Sequence, residues 1–145
     1  MTRSRVPTAL AALTALAVTA ATAAAAMTSH AINWQTPNQA AGCGVEIHVS
    51  NKPAKWIVCD ALGLPRPKHS NRNEGDPFVQ IAAHGRPQLG LMSQKIVEGN
   101  NAVTLAAGTT WSKLGVTCKI KTSKVTCTNK SGHGFRMGKN LYKTF

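Results

Sequence analysis

Ten residues, Cys118-Lys-Ile-Lys-Thr-Ser-Lys-Val-Thr-Cys127, constrain the fold more than any other stretch of this chain. Folded about Thr122-Ser123, they set Lys121 against Lys124, Ile120 against Val125 and Cys118 against Cys127. Cys118, Ile120, Val125 and Cys127 then share one face, and Lys119, Lys121, Lys124 and Thr126 share the other. That period-two division is the mark of a half-buried antiparallel hairpin. Directly opposed Cα atoms in such a ladder lie about 4.5–5.5 Å apart, within the reach of a disulfide. Thr-Ser is not the Asn-Gly type of pair that a two-residue hairpin loop favours, so a longer loop with a shifted register is the alternative.

The front of the chain repeats the exercise. Cys43-Gly-Val-Glu-Ile-His-Val49 alternates apolar and polar positions, Lys55–Cys59 is a second strand-like run, and Ser50-Asn51-Lys52-Pro53 supplies turn chemistry between them. A turn centred at Asn51 sets Val45 against Ile57 and Cys43 against Cys59. Four cysteines allow three pairings, and these registers predict Cys43–Cys59 with Cys118–Cys127. Loop closure of this size is worth on the order of 3 kcal/mol per bridge, a large share of a small domain's stability.

Disulfides need an oxidising compartment, and the first residues supply the route. Met1–Ala26 has a basic start (Arg3, Arg5), an Ala-diluted apolar stretch with Leu10, Leu13, Leu16 and Val18, and Ala24-Ala25-Ala26 as a small-residue cleavage site. It reads as a helical signal peptide, cut after Ala26 or, alternatively, after Ala31. The stretch is too diluted in alanine for a spanning helix, so the processed chain is expected not to span a membrane. The organisation predicted is a signal peptide over 1–26, an N-terminal extension over 27–42 and a single secreted β domain over 43–145. The 26 leader residues take two of the 17 basic side chains with them, leaving 119 residues with 15 basic and 5 acidic groups. Leu, Ile, Val and Phe number 24 of those 119, near the roughly 20% below which a highly charged chain stays disordered. A core this thin needs the two bridges.

Between the hairpins, Leu64–Pro77 is rich in Pro, Asn and charge and is predicted as a long surface loop. Phe78–Ala83, Gln88–Lys95 and Val103–Ala107 are short β-compatible runs separated by Gly-Arg-Pro and Glu-Gly-Asn-Asn turn clusters. The fold class expected is mainly β: a small antiparallel sandwich or rolled sheet with two disulfide-stapled hairpins and no internal repeat.

The tail is the most distinctive text. Val125-Thr-Cys-Thr-Asn129, Gly132-His-Gly-Phe135 and Tyr142-x-x-Phe145 fall in sequence, with Leu105, Gly108, Gly115 and Cys118 before them. In these motifs the chain resembles a family of small secreted actinobacterial proteins, a domain family of unknown function. Thr36-Pro37-Asn38, Gly42-Cys43 and Cys59-Asp60 are similar to the family's opening. The middle departs from it: the basic loop and Gly75-Asp76-Pro77-Phe78 stand where other members carry a further Cys pair. The resemblance implies a secreted, disulfide-bonded, mostly β domain and implies no activity.

Candidates for chemistry stand on their own residues. His133 between two glycines, beside Ser131, is the alternative functional loop, an imidazole placed to act as a general base. The competing reading gives Gly132 and Gly134 a positive φ or a close backbone approach, with the imidazole capping a carbonyl. A hydrolytic set drawn from Ser131, His133, His84, Asp76 and Asp60 lacks a nucleophile elbow. Glu46, Glu74, Asp76 and Glu98 sit in hairpin or turn text, which is poor ground for a glycosidase pair. His30, His48, His69, His84 and His133 lack ligand spacing. No catalytic residue, metal or cofactor is assigned.

Charge is the stronger clue. No acidic residue follows Glu98, while Lys113, Lys119, Lys121, Lys124, Lys130, Arg136, Lys139 and Lys143 do. The first seven of these are the candidate anion-binding surface. The expectation is a non-catalytic module, extracellular or wall-associated, that docks electrostatically on an anionic envelope polymer or lipid surface, with a partner protein as a further candidate. The competing role of the lysines is a solvated face that blocks edge pairing. Nucleic acid is not expected, because no aromatic platform accompanies the charge. The alternative is a small enzyme or enzyme inhibitor using Gly132-His133-Gly134. Among the aromatics, Trp56 and Phe135 are assigned to the core, and Trp111 is the candidate for sugar contact.

Overall fold

The computed structural model describes residues 32–45, 55–93, 96 and 102–145. These residues are all-β, apart from a 3-10 turn at Arg72–Glu74. Strands β1 (Asn33–Gln35), β2 (Ala41–Val45), β3 (Ile57–Ala61), β4 (Asp76–Ile81), β5 (Gln88–Met92) and β6 (Val103–Thr104) form one sheet in the order β5-β4-β3-β2-β1-β6. Strands β7 (Thr110–Lys113), β8 (Val116–Ile120), β9 (Lys124–Asn129), β10 (Gly134–Gly138) and β11 (Leu141–Thr144) form the second, in the order β11-β10-β9-β8-β7. Every pairing is antiparallel except β1 with β6.

Both predicted hairpins have the predicted register. Cys43 faces Cys59 and Val45 faces Ile57; Cys118 faces Cys127 and Ile120 faces Val125. Both bridges are formed, each with Cα atoms 4.0 Å apart. The second hairpin closes through Thr122-Ser123, with the Lys121 N–H donating to the Lys124 carbonyl at 2.8 Å. The turn at Asn51 lies outside the described residues, as does the signal peptide.

The two sheets pack face to face on one apolar cluster. In the first sheet Trp34, Cys43, Cys59, Val79 and Leu89 are cross-strand neighbours in a single row. In the second the corresponding row is Trp111, Cys118, Cys127, Phe135 and Thr144. A tryptophan beside a cross-strand cystine thus recurs in both halves, a repetition hidden in the sequence because the connecting segments differ in length and text. The rows meet at the centre: the Sγ atoms of Cys43, Cys118 and Cys127 lie within 4.8 Å of one another, so the two cystines touch. All four cysteines are fully buried.

At the rim, backbone hydrogen bonds tie sheet to sheet. Asn38 N–H donates to the Thr122 carbonyl (3.3 Å), Lys130 N–H to Ala83 (3.0 Å) and Asn140 N–H to Leu62 (2.8 Å).

Several boundaries differ from the sequence expectation. The N-terminal extension expected over 27–42 contributes β1 and the start of β2, because Trp34 and Ala41 are core residues with no exposed surface. Thr36 holds the intervening turn, its hydroxyl accepting from the N–H groups of Ala40 (3.0 Å) and Ala41 (3.2 Å). The loop expected over Leu64–Pro77 ends earlier, since Asp76 and Pro77 already pair with Met92 and Leu91. Arg66 braces that loop, donating from Nη2 to the carbonyls of Asn71 (2.6 Å) and Gly75 (2.8 Å). Trp111 lies in a strand and is 1% exposed, so it is core and not a sugar platform. That strand turns into β8 through Leu114 and Gly115, both at positive φ (50° and 74°), the geometry of a two-residue type I′ loop.

Candidate functional site

The solvent side of the second sheet follows from the parity of its strands. Trp111, Val116, Cys118, Ile120, Val125, Cys127, Phe135 and Met137 point into the core, so their strand neighbours point out. Registers then fix the order of outward residues across all five strands. Thr110 faces Lys119, Lys119 faces Thr126, Thr126 faces Arg136, and Arg136 faces Lys143. Three cations therefore stand in one line that crosses the sheet at right angles to its strands. A parallel line beside it carries Ser112, Thr117 and Thr128. The Ser112 and Thr117 hydroxyls are hydrogen-bonded at 2.9 Å.

The seven residues expected to bind anions divide in this geometry. Lys119, Lys124 and Arg136 face outward from the sheet, and Lys121 is exposed in the hairpin turn beside them. Lys139 is exposed in the β10–β11 turn. Lys113 points the other way, sharing the inward parity of Trp111. Lys130 lies at the rim, its N–H bonded to Ala83. Lys143, outside that set, joins the line through its pairing with Arg136. The signal for it was the alternation of Leu141-Tyr142-Lys143-Thr144-Phe145, which puts Leu141, Lys143 and Phe145 on one face. Leu141 and Phe145 are 36% and 51% exposed.

The Gly132-His133-Gly134 loop is held by Asn129. Its Oδ1 accepts from the N–H groups of Ser131 (3.2 Å) and His133 (3.1 Å) and from the Ser131 hydroxyl (3.1 Å). Its Nδ2 donates to the carbonyls of Ala82 (3.1 Å) and Gly85 (2.7 Å). The Ser131 oxygen in turn accepts from the Gly85 N–H at 3.2 Å. Gly132 takes a φ of 79°. A side chain on Gly134 would strike the Cys127 carbonyl and the Phe145 ring. Both glycines are thus needed by the backbone, and the loop clasps the second sheet to the β4–β5 connection. The capping group is the Asn129 amide, where the sequence suggested the imidazole.

Among the described histidines, His69 and His84 are exposed and His133 is half-buried; His30 and His48 lie outside the described residues. The group of potential ligand atoms found close together among the described residues is Cys43, Cys118 and Cys127, all engaged in disulfides. No helix among the described residues is long and apolar enough to cross a membrane. Comparison with protein-family models, curated proteins and solved structures gives no match.

Proposed function

We propose that this chain is a secreted, non-catalytic binding module that docks on an anionic partner outside the cell or at its envelope, using the outer face of the second sheet. One observation carries the reading: Lys119, Arg136 and Lys143 form a single cross-strand line on the solvent side of a sheet whose other side is the core. Residues 99–145 contain no Asp or Glu side chain, so the line is not neutralised from within its own sheet. A surface of one sign raises the local concentration of opposite charges and steers them inward. Two disulfides are consistent with an extracellular location, and the leader-like Met1–Ala26 supports export. Membership of the small secreted actinobacterial family, suggested by the tail motifs, belongs to the same proposal.

The test is binding of the purified protein to an anionic matrix under rising salt. Affinity should fall linearly on a logarithmic scale, and replacing Lys119, Arg136 and Lys143 together with Gln should abolish retention. An unchanged elution after that triple replacement removes the basis of the proposal. Expression with the leader in a secreting host, followed by N-terminal sequencing, tests export directly.

A further inference from the structure

The three cations could meet a flat lipid surface or a linear chain, and their arrangement distinguishes the two. Neighbouring strands lie about 4.8 Å apart, so Arg136 and Lys143 are spaced by about 5 Å and Lys119 and Arg136 by about 10 Å along one line. On β10 the outward residues on either side of Arg136 are Gly134 and Gly138, which leave its guanidinium without tall neighbours on its own strand. The flanking line of Ser112, Thr117 and Thr128 offers hydroxyls, which both donate and accept. At that end of the line Thr110 and Lys119 themselves border a groove of about 380 Å³, which Ala107, Gly108 and Lys121 also line.

We infer that this face binds a linear phosphodiester polymer of short polyols, laid across the strands along Thr110, Lys119, Thr126, Arg136 and Lys143, with one end in the groove beside Lys121. The inference rests on the anionic-partner reading above and names its chemistry. In such a polymer about six bonds separate successive phosphorus atoms. Three backbone bonds of a peptide span 3.8 Å, so six span about 7 Å, between the two cation spacings. Arg136 can grip one phosphate with two parallel N–H donors, while Lys119 and Lys143 act as point charges on its neighbours. The polyol hydroxyls find their partners in the Ser/Thr line. A nucleic acid offers the same phosphodiesters but also needs stacking surfaces, and among the described residues of this face Phe145, held opposite Gly134 by backbone hydrogen bonds, is the aromatic one. A bilayer would use Leu141 and Phe145 as wedges on either side of Lys143.

The experiment titrates the protein with poly(glycerol phosphate) of about twenty repeats, vesicles of phosphatidylglycerol in neutral lipid, monomeric glycerol phosphate and a thymidine oligonucleotide. The polymer should bind, with log affinity falling against log salt at a slope of about −2 for three phosphate contacts. Monomer, vesicles and oligonucleotide should bind at least tenfold more weakly. K119Q, R136Q and K143Q should each cost the polymer about five- to tenfold, while K55Q, K68Q and R86Q, exposed elsewhere, should leave it unchanged. Preference for vesicles, with loss on L141S and F145S, overturns the polymer and keeps the anionic partner. Preference for the oligonucleotide overturns the polyol and keeps the phosphodiester. Equal losses from the two sets of Gln variants overturn the outer face of the second sheet as the site, and no binding to any probe overturns the anionic-partner reading itself.

Discussion

The indole of Trp34, in β1, meets that of Trp111, in β7, edge to face, with ring centroids 5.7 Å apart and planes inclined at 60°. One ring comes from each sheet, so the pair joins the two layers of the sandwich within a core that also holds Phe135, aliphatic side chains and the two cystines. Truncation of either ring should be costly. Trp111→Ala should lower the free energy of unfolding by about 3–5 kcal/mol, read from the urea midpoint at constant slope. A double-mutant cycle with Trp34→Leu and Trp111→Leu should return a coupling of about 0.5–1.5 kcal/mol beyond area loss. A coupling of zero would mean that the rings merely fill space.

Asn129 is a second joint between the sheets, made of hydrogen bonds. Its side chain serves five polar partners while only 6% exposed. Asn129→Ala should cost about 2–4 kcal/mol, since each buried bond is worth roughly 1 kcal/mol net and several groups lose their partner together. Hydrogen exchange of the Ser131 and His133 amides should accelerate first. His133→Ala, by contrast, leaves every one of these bonds in place, because only the backbone N–H of His133 takes part.

Tyr142 is the one tyrosine of the chain, so its ionisation can be followed at 295 nm without ambiguity. Desolvation raises its pKa above the ordinary value of 10.0. The neutral phenol is the form the fold favours, so this contribution to stability is complete below pH 10 and is lost as pH rises through the folded pKa. The alkaline titration should have its midpoint above 10.0 in the native protein and return to the ordinary value in denaturant. Tyr142→Phe should remove that part of the alkaline destabilisation. Tyr142 pairs with Met137 and packs partly buried against the core, and a native midpoint at or below the denatured one would contradict that placement.

The two bridges close loops of different size, with separations of 16 and 9 residues. Chain-entropy estimates give about 3 kcal/mol for Cys43–Cys59 and about 2.5 kcal/mol for Cys118–Cys127. Replacing each pair by Ala should therefore leave the variant lacking Cys43 and Cys59 slightly the less stable, as measured by urea unfolding without reductant. Pronounced inversion of that order would show that packing of the touching cystines outweighs loop closure.

The hairpins were legible in the sequence because period-two alternation and paired cysteines specify a register without reference to the rest of the molecule. The strand around Trp111 was not. Its turn is Leu114-Gly115, and a leucine at a φ of 50° is outside the Asn-Gly and Gly-Gly vocabulary that announces such loops. The lysine face was legible as a hairpin face and not as a line across five strands. That line depends on two further registers, one set by Gly132 at a φ of 79° and the other by Asn140 at 55°, and neither can be counted from residue spacing alone. The β1 strand was hidden for another reason: Asn33-Trp-Gln is too short to show a period, and Trp34 is fixed by contacts distant in sequence, with Cys43 beside it and Trp111 across the core.

Both cystines lie within a sheet, and neither crosses between them. Residues 33–104 supply every strand of the first sheet and residues 110–144 every strand of the second, so Leu105–Thr109 is the covalent tie from one to the other. The chain is therefore one nick away from being a heterodimer. Cleavage in that linker would yield two fragments, each with its own bridge and its own core tryptophan, whose reassociation would depend on apolar contact and on the hydrogen bonds at the rim and at Asn129. Such a molecule can be split, mixed and circularly rearranged at this point while each leaf keeps its own staple.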